Sequence, residues 1–241
     1  MPLKELAERR TLLHRKSDAP TLLRHALDDQ SIGPVAMVSS FGADSVVLLH
    51  MISQIDRATP VLFIDTEMLF AATLTYQREV AEHLGLTDIR IIKPTRAVLL
   101  ERDVDGTLHH FDPDACCALR KTEPLERALH DFGGWITGRK KIHGGARKSL
   151  PLFEKNGRHI KINPLANWTQ PMVTDYIARH QLPRHPMVAQ GFPSIGCQPC
   201  TTPAGDDEDP RAGRWRGQDK DECGIHFVDG KMVRGPFRKA S

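Results

Sequence analysis

Short apolar runs separated by longer stretches of helical spacing fill the first three quarters of the chain. Leu3 and Leu6, then Leu22, Leu23, Ala26 and Leu27, fall at helical intervals interrupted near Pro20, which predicts two short amphipathic helices over residues 3–28. From Val35 the pattern changes. Runs at Val35–Val38, Val61–Ile64, Ile89–Ile92, Gly134–Thr137 and Ile160–Ile162 are short and nearly continuous, as strands buried on both faces are. Helical stretches such as Asp44–Ile55 and Phe70–Leu84 separate them, the second closed by Gly85 where a left-handed cap is expected. A further helix is predicted from Pro171, in a first turn that has no use for the missing N–H, to about His180. Strands alternating with helices imply parallel pairing. The expected fold class is therefore α/β, a doubly wound, mostly parallel sheet with its ligand beyond the carboxyl ends of the strands, so the loops after Val38 and Ile64 are the places to look.

After Gln181 regular periodicity fades. Residues 183–241 are dense in Pro, Gly, Arg and Asp, yet they hold three of the five cysteines, so an irregular C-terminal arm with a function is expected there, beside an α/β domain over 1–182. At 241 residues and 40% hydrophobic content the chain can fill one sizeable core. Its 33 Lys and Arg against 30 Asp and Glu leave a net charge of +3, too mild for a protein whose main partner is nucleic acid and better suited to a small anionic ligand. No run reaches the length of a membrane span, and the opening MPLKELAERRTLLHRK is charged, so a cytoplasmic protein with no membrane partner is expected. Thiols stay reduced in that compartment. Five cysteines then point to metal or catalysis rather than to disulfides.

The first loop, Ser39-Ser40-Phe41-Gly42-Ala43-Asp44-Ser45, leaves a strand and opens a helix, where backbone N–H groups and the helix dipole hold an anion. Gly42 allows a phosphate close to the backbone, and the serines add hydroxyl donors. The Gly-Lys-Ser/Thr ending of an ordinary P-loop is missing. The second loop, Asp65-Thr66-Glu67, has the position to read a base or ribose, although acidic residues there also simply cap the next helix.

The cysteines are more informative. Adjacent Cys116 and Cys117, with Cys197 and Cys200 in a Cys-x-x-Cys, provide four thiolates from two distant segments, enough for the shell of an iron-sulfur cluster or a zinc ion. Adjacent residues diverge by about a hundred degrees around a helix, which suits a cluster better than one ion. Cluster ranks first, zinc second, and independent thiols last. Cys223, in Glu222-Cys223-Gly224-Ile225-His226, is left over: a reactive thiolate beside His226, or an incidental cysteine near the terminus. If the other four bind metal, no resolving cysteine remains, and an adduct on Cys223 needs an external dithiol to release it. Basic residues at Arg139-Lys140-Lys141, Arg147-Lys148, Arg211 and Arg214, with Lys121 after the cysteine pair, fit a phosphosulfate, against the commoner reading of solvated surface charge.

Taken together, Ser39–Ser45, Cys116-Cys117-x-x-Arg120-Lys121, Thr137-Gly138, Cys197-Gln198-Pro199-Cys200-Thr201, Arg211-Ala212-Gly213-Arg214-Trp215 and Glu222–His226 resemble the iron-sulfur branch of the assimilatory adenylyl-sulfate reductases. The resemblance implies an adenine nucleotide alpha hydrolase-like sheet and a 4Fe-4S cluster on Cys116, Cys117, Cys197 and Cys200. It makes Cys223 the nucleophile on the sulfur of adenosine 5'-phosphosulfate, with AMP expelled and sulfite released by thioredoxin or glutaredoxin. It places Lys121, Arg211, Arg214 and His226 on the phosphosulfate and Ser39, Gly42, Gly138 and Arg147 on the nucleotide. It leaves a homo-oligomer open. Two segments depart from the family's usual pattern: Arg139-Lys140-Lys141-Ile142-His143-Gly144 stands for Arg-Arg-x-Gln-Ser, and the first loop runs Ser-Ser-Phe-Gly where many relatives have Ser-Phe-Ser-Gly. The competing expectations are a reductase preferring the 3'-phosphorylated substrate, an ATP pyrophosphatase-like sulfur-transfer enzyme, and a zinc-stabilised nucleic-acid-binding module.

Overall fold

A computed structural model describes residues 1–143, 147–205, 207–218, 220, 227–228 and 231–232. Its centre is a six-stranded sheet in the order β3-β2-β1-β4-β6-β5, made of β1 (Val35–Ser39), β2 (Val61–Ile64), β3 (Ile89–Ile92), β4 (Gly134–Ile136), β5 (Phe153–Asn156) and β6 (His159–Ile162). Neighbours from β3 through β6 pair in parallel. The five expected strands are these. The addition is β5, antiparallel to β6 at one edge; the charged Glu154-Lys155 at its centre interrupts the apolar run by which the others are recognised, because an edge strand tolerates solvent.

The expected helices also form, as α1 (Leu3–Leu13), α2 (Ala19–Asp28), α3 (Ser45–Ser53), α4 (Ala71–Leu84) and, after the shorter α5 (Arg96–Arg102), α6 (Leu108–Phe111), α7 (Pro113–Cys117) and α8 (Glu123–Ala128), as α9 (Gln170–Arg179). Pro20 lies in the first turn of α2 instead of breaking it, and Asp18 caps that turn by accepting from the Thr21 N–H at 2.8 Å. Gly85 closes α4 at φ 63°, as the left-handed cap requires. On one face of the sheet α3 is buried almost all round, in a core that includes Leu22, Leu49, Ile52, Val80 and Val173. On the other face Ala36, Leu62 and Trp135 pack under Leu125, Leu129 and Phe132 from α8 and the turn after it. Burying one such leucine contributes roughly 2 kcal/mol, which is what fixes the helices to the sheet.

From β1 the chain runs outward to β2 and β3, then returns to lay β4 on the other side of β1. The loops leaving β1 and β4 therefore diverge. A crevice opens between them, at the point where a doubly wound sheet binds its ligand. Among the described residues no helix is long and apolar enough to cross a membrane.

Candidate active site

Where β1 ends, Ser39 is buried and its Oγ accepts from the Phe41 N–H at 3.1 Å. Phe41 holds φ 47°, an uncommon conformation for a non-glycine residue that costs about 1–3 kcal/mol. Packing retains it: the ring is fully buried and meets Phe63 edge-on at 5.2 Å. The turn so fixed sends the Gly42 N–H to Ser45 Oγ at 3.0 Å and starts α3 facing the crevice. A Cβ on Gly42 would come within 3.5 Å of the Ile195 carbonyl, so the arm crosses directly over the loop there.

The loop after β4 is tied to it. Lys140, 1% exposed, donates to Asp44 Oδ2 at 2.5 Å, and Gln170 at the start of α9 donates to Asp44 Oδ1 at 3.3 Å. Arg139 pairs with Glu154 of β5 and donates to Asn163 Oδ1 at 3.3 Å. Two members of the basic Arg139-Lys140-Lys141 run are thus engaged by carboxylates of the fold itself.

Between these loops and the arm lies a cavity of about 330 Å³, within the usual range for a small-molecule site. Ser39 and Gly42 from the first loop, Gly138 and Arg147 from the second half of the sheet, Lys121 from beside the cysteine pair, and Arg211 and Arg214 from the arm all line it. Seven expected substrate contacts, more than 170 positions apart at their extremes, therefore share one wall-to-wall space. His226, the eighth, and Cys223 lie outside the described residues.

Of the buried donors on residues lining this cavity, Trp135 Nε1, Arg214 Nε and Trp215 Nε1 have no hydrogen-bond acceptor among the described residues. Buried polar groups are usually hydrogen-bonded, so donors of this kind can serve a ligand that enters the cavity. Arg214 is positioned by stacking on Trp215 at 4.5 Å and by donating to the Ile195 carbonyl at 3.3 Å. Gly196 makes room for it: a Cβ there would stand 2.2 Å from the guanidinium. Trp215 itself holds φ 51°, a third left-handed non-glycine at this end of the sheet with Phe41 and Glu67.

Cys116 and Cys117 end α7, which Asp112 caps by accepting from the Asp114 and Ala115 N–H groups at 3.1 and 2.8 Å. A π-helical turn follows, Ala118–Thr122, a widened geometry frequent at functional sites, and it turns Arg120 and Lys121 inward as buried cations. Arg120 donates to Asp103 Oδ2 at 3.0 and 2.6 Å and to the Thr66 carbonyl at 2.9 Å. Thr66 in turn meets Cys197 Sγ at 3.2 Å, and the Gln198 N–H donates to the Met68 carbonyl at 2.8 Å. The second loop, expected to read the nucleotide or cap a helix, is thus also the bracket that holds both cysteine segments. Burial pushes the Cys116 thiol up to about 11; the Arg120 charge opposes this, Cys197 and Cys200 add to it, and Lys121 opposes it again. The contacts from Arg120 through Thr66 to Cys197 bring the Cys-x-x-Cys to the segment that follows the cysteine pair.

Among the described residues no three His, Cys, Asp or Glu side chains are set as around a single metal ion. Four thiols on two neighbouring segments, with Arg120 and Lys220 beside them to offset thiolate charge, are a donor set of the chemistry that an iron-sulfur cluster takes. Sequence reasoning did not find the Lys140–Asp44 and Arg120–Asp103 pairs, nor Lys220 against Cys117. Charge pairs between distant segments leave no periodic signal, and only the proximity of Arg120 and Lys121 to the cysteine pair hinted at them.

Residues 34–203 match the phosphoadenosine phosphosulfate reductase domain family. The chain is 52% identical over 193 residues to an adenosine 5'-phosphosulfate reductase of Mesorhizobium japonicum, covering 80% of this chain and 76% of the relative. It is 46% identical over 195 residues to one of Chelativorans sp., covering 81% and 80%, and 38% identical over 197 residues to a phosphoadenosine 5'-phosphosulfate reductase of Gloeobacter violaceus, covering 80% and 82%. Among solved structures, the phosphoadenylyl-sulfate reductase of Candida auris superposes with a TM-score of 0.71 at 27% identity, covering 84% of this chain and 98% of that one. An FMN adenylyltransferase of Candida glabrata, at 16% identity and a TM-score of 0.56 over 87% and 80% of the two chains, shares the fold alone. The sheet order, the cavity at its switch point and these similarities agree: the chain belongs to the phosphoadenosine phosphosulfate reductase family.

Proposed function

We propose that the chain reduces adenosine 5'-phosphosulfate to sulfite and AMP in assimilatory sulfate reduction, with Cys223 as nucleophile. The observation that carries this reading is the cavity whose wall combines the anion-binding loop, the cations Lys121, Arg147, Arg211 and Arg214, and the buried donors of Trp135 and Trp215. Relatives bearing the name of this reductase, 52% and 46% identical, support the unphosphorylated substrate.

Ser39, Gly42 and Gly138 hold the nucleotide against the sheet, where backbone amides and the α3 dipole favour anionic oxygens. Arg147 adds charge from the side. Lys121, Arg211 and Arg214 hold the sulfonate and the bridging oxygen, with His226 as a further donor. The Cys223 thiolate attacks sulfur; the new S–S bond forms as the S–O bond to AMP breaks, and the pair of electrons leaves on the phosphate oxygen, steadied by the same cations. The product on the enzyme is an S-sulfocysteine. One thiolate of thioredoxin or glutaredoxin then attacks Cys223 Sγ and expels sulfite, and its second thiol resolves the mixed disulfide, so the donor leaves oxidised by two electrons and Cys223 returns as a thiolate. Cys116, Cys117, Cys197 and Cys200 would hold a 4Fe-4S cluster. When bound, the cluster supplies fixed charge and rigidity beside Lys121, a positioning role that asks no electron of it.

The test is a sulfite assay with adenosine 5'-phosphosulfate, its 3'-phosphorylated form and reduced thioredoxin, on anaerobically purified protein. Turnover of the unphosphorylated substrate that Cys223→Ser abolishes without loss of iron is expected. Pyrophosphate release from ATP, or a zinc protein inert toward both sulfonucleotides, would overturn the reading.

A further inference from the structure

Lys220 stands at the foot of the segment that carries Cys223, three residues before it. Its ammonium donates to the Pro113 carbonyl at 2.9 Å, to Asp114 Oδ1 at 2.7 Å and to Cys117 Sγ at 3.4 Å. The side chain is only 8% exposed, and the ammonium also lies 5.8 Å from the centre of the Trp215 ring. An ammonium has three N–H bonds, and three acceptors meet them. The group is therefore saturated by the protein and not directed at a substrate. All three acceptors belong to α7, so one side chain of the arm grips the first and last residues of the helix whose final pair are cysteines.

Two consequences follow from that placement. Cys223 follows Lys220 by three positions, so at most about 10 Å of extended chain separates the nucleophile's backbone from a residue pinned to α7, which limits the positions the thiol searches before attack. An N–H donated to a ligand sulfur also withdraws electron density from the iron–sulfur bond, one of the levers by which a protein tunes a cluster. We propose that Lys220 is a positioning residue that fastens the nucleophile segment to the cluster-bearing helix and donates a hydrogen bond to the Cys117 ligand sulfur, an inference that rests on the function proposed above.

The experiment compares wild type, Lys220→Met and Lys220→Arg, each purified anaerobically with iron and sulfide content measured. Resonance Raman spectra report the iron–cysteine stretches. Single-turnover reactions with adenosine 5'-phosphosulfate and no dithiol report the rate of S-sulfocysteine formation. Lys220→Met is expected to keep its iron, to shift an iron–cysteine stretch upward as the hydrogen bond is lost, and to slow adduct formation on the order of tenfold with substrate affinity little changed. Lys220→Arg is expected to restore most of both. Should Lys220→Met fail to fold, Lys220→Leu, which likewise removes the donor, provides the same two readings. A folded, iron-replete substitution with wild-type spectrum and wild-type rate would overturn this proposal alone. Wild type that forms no adduct would overturn the underlying function and this proposal with it, and wild type that forms the adduct without iron would overturn the cluster assignment and this proposal alone.

Discussion

The loops leaving β1 and β4 are set by the backbone of a parallel sheet, whereas the two cysteine segments beside them are set by a few side chains. On the nucleotide wall, Ser39 and Gly138 sit at the ends of strands paired through several registers, and the Phe41 turn is clamped by buried rings. On the cysteine wall, α7 and the π-helical turn depend on Arg120, and the Cys-x-x-Cys on Thr66 and the Met68 carbonyl. Backbone pairing spreads the cost of any one change over many bonds. A side-chain bracket concentrates it. The cysteine wall should therefore be the more fragile under single substitutions, and the nucleotide wall should yield mainly in affinity.

The largest expected effect is at Arg120. Replacing it by Met leaves the Asp103 carboxylate and the Thr66 carbonyl buried without this partner, and breaking a buried pair from one side costs about 3–5 kcal/mol. Urea unfolding of Arg120→Met should show that loss together with reduced iron content; a variant with unchanged midpoint and iron would break the comparison.

Next is acid. His185 is buried where the start of the arm packs on α4, with its Nε2 against Thr73 Oγ1 at 3.1 Å, and burial pulls its pKa down to about 4. Its folded pKa is below the unfolded value near 6.5, so the stabilisation from keeping the ring neutral is complete above 6.5 and is lost as the pH falls from there toward 4. About 2 kcal/mol should disappear between about pH 7.5 and about pH 5. His185→Asn should flatten that dependence in urea midpoints measured at both values, and an equally steep variant would assign the acid sensitivity elsewhere.

A smaller effect is expected on the nucleotide wall. Lys140→Met removes the cation from Asp44, which keeps Gln170 as a donor, and turns an uncompensated carboxylate toward an anionic substrate. Binding of AMP followed by calorimetry should weaken on the order of tenfold, about 1.4 kcal/mol, while iron content stays unchanged. The smallest effect is expected at Glu208, which pairs with Arg216 at 2.7 Å on the exposed part of the arm. Exposed pairs contribute little, so Glu208→Gln should leave the melting temperature and sulfite formation unchanged.

The same contrast explains what the sequence discloses. Four strands announce themselves as apolar runs because both faces of the central sheet are covered there. At the far edge β3 keeps an apolar run although Arg90 and Ile91 are exposed, and the long helices that pack on the sheet carry matching stripes. By contrast α5 and α6 have no buried residues at all, so no stripe marks them. The π-helical turn is equally silent, since its Ala118-Leu119-Arg120-Lys121-Thr122 reads as ordinary helix. On the site, residues at strand ends were legible from position, and the arm's Arg211 and Arg214 from motif. The fastenings were not: Lys140 reaches Asp44 across 96 positions and Lys220 reaches Cys117 across 103, and a single charge at either end specifies no partner.

The central claim is that the thiol of Cys223 takes the sulfonate from a nucleotide held in the cavity between β1, β4 and the arm. Mass spectrometry of the protein after one turnover with adenosine 5'-phosphosulfate, without dithiol, tests this most directly. A sulfonate on the Cys223 peptide, formed together with stoichiometric AMP and discharged as sulfite when thioredoxin is added, is the predicted result. Unmodified Cys223 in protein that nevertheless produces sulfite would contradict it.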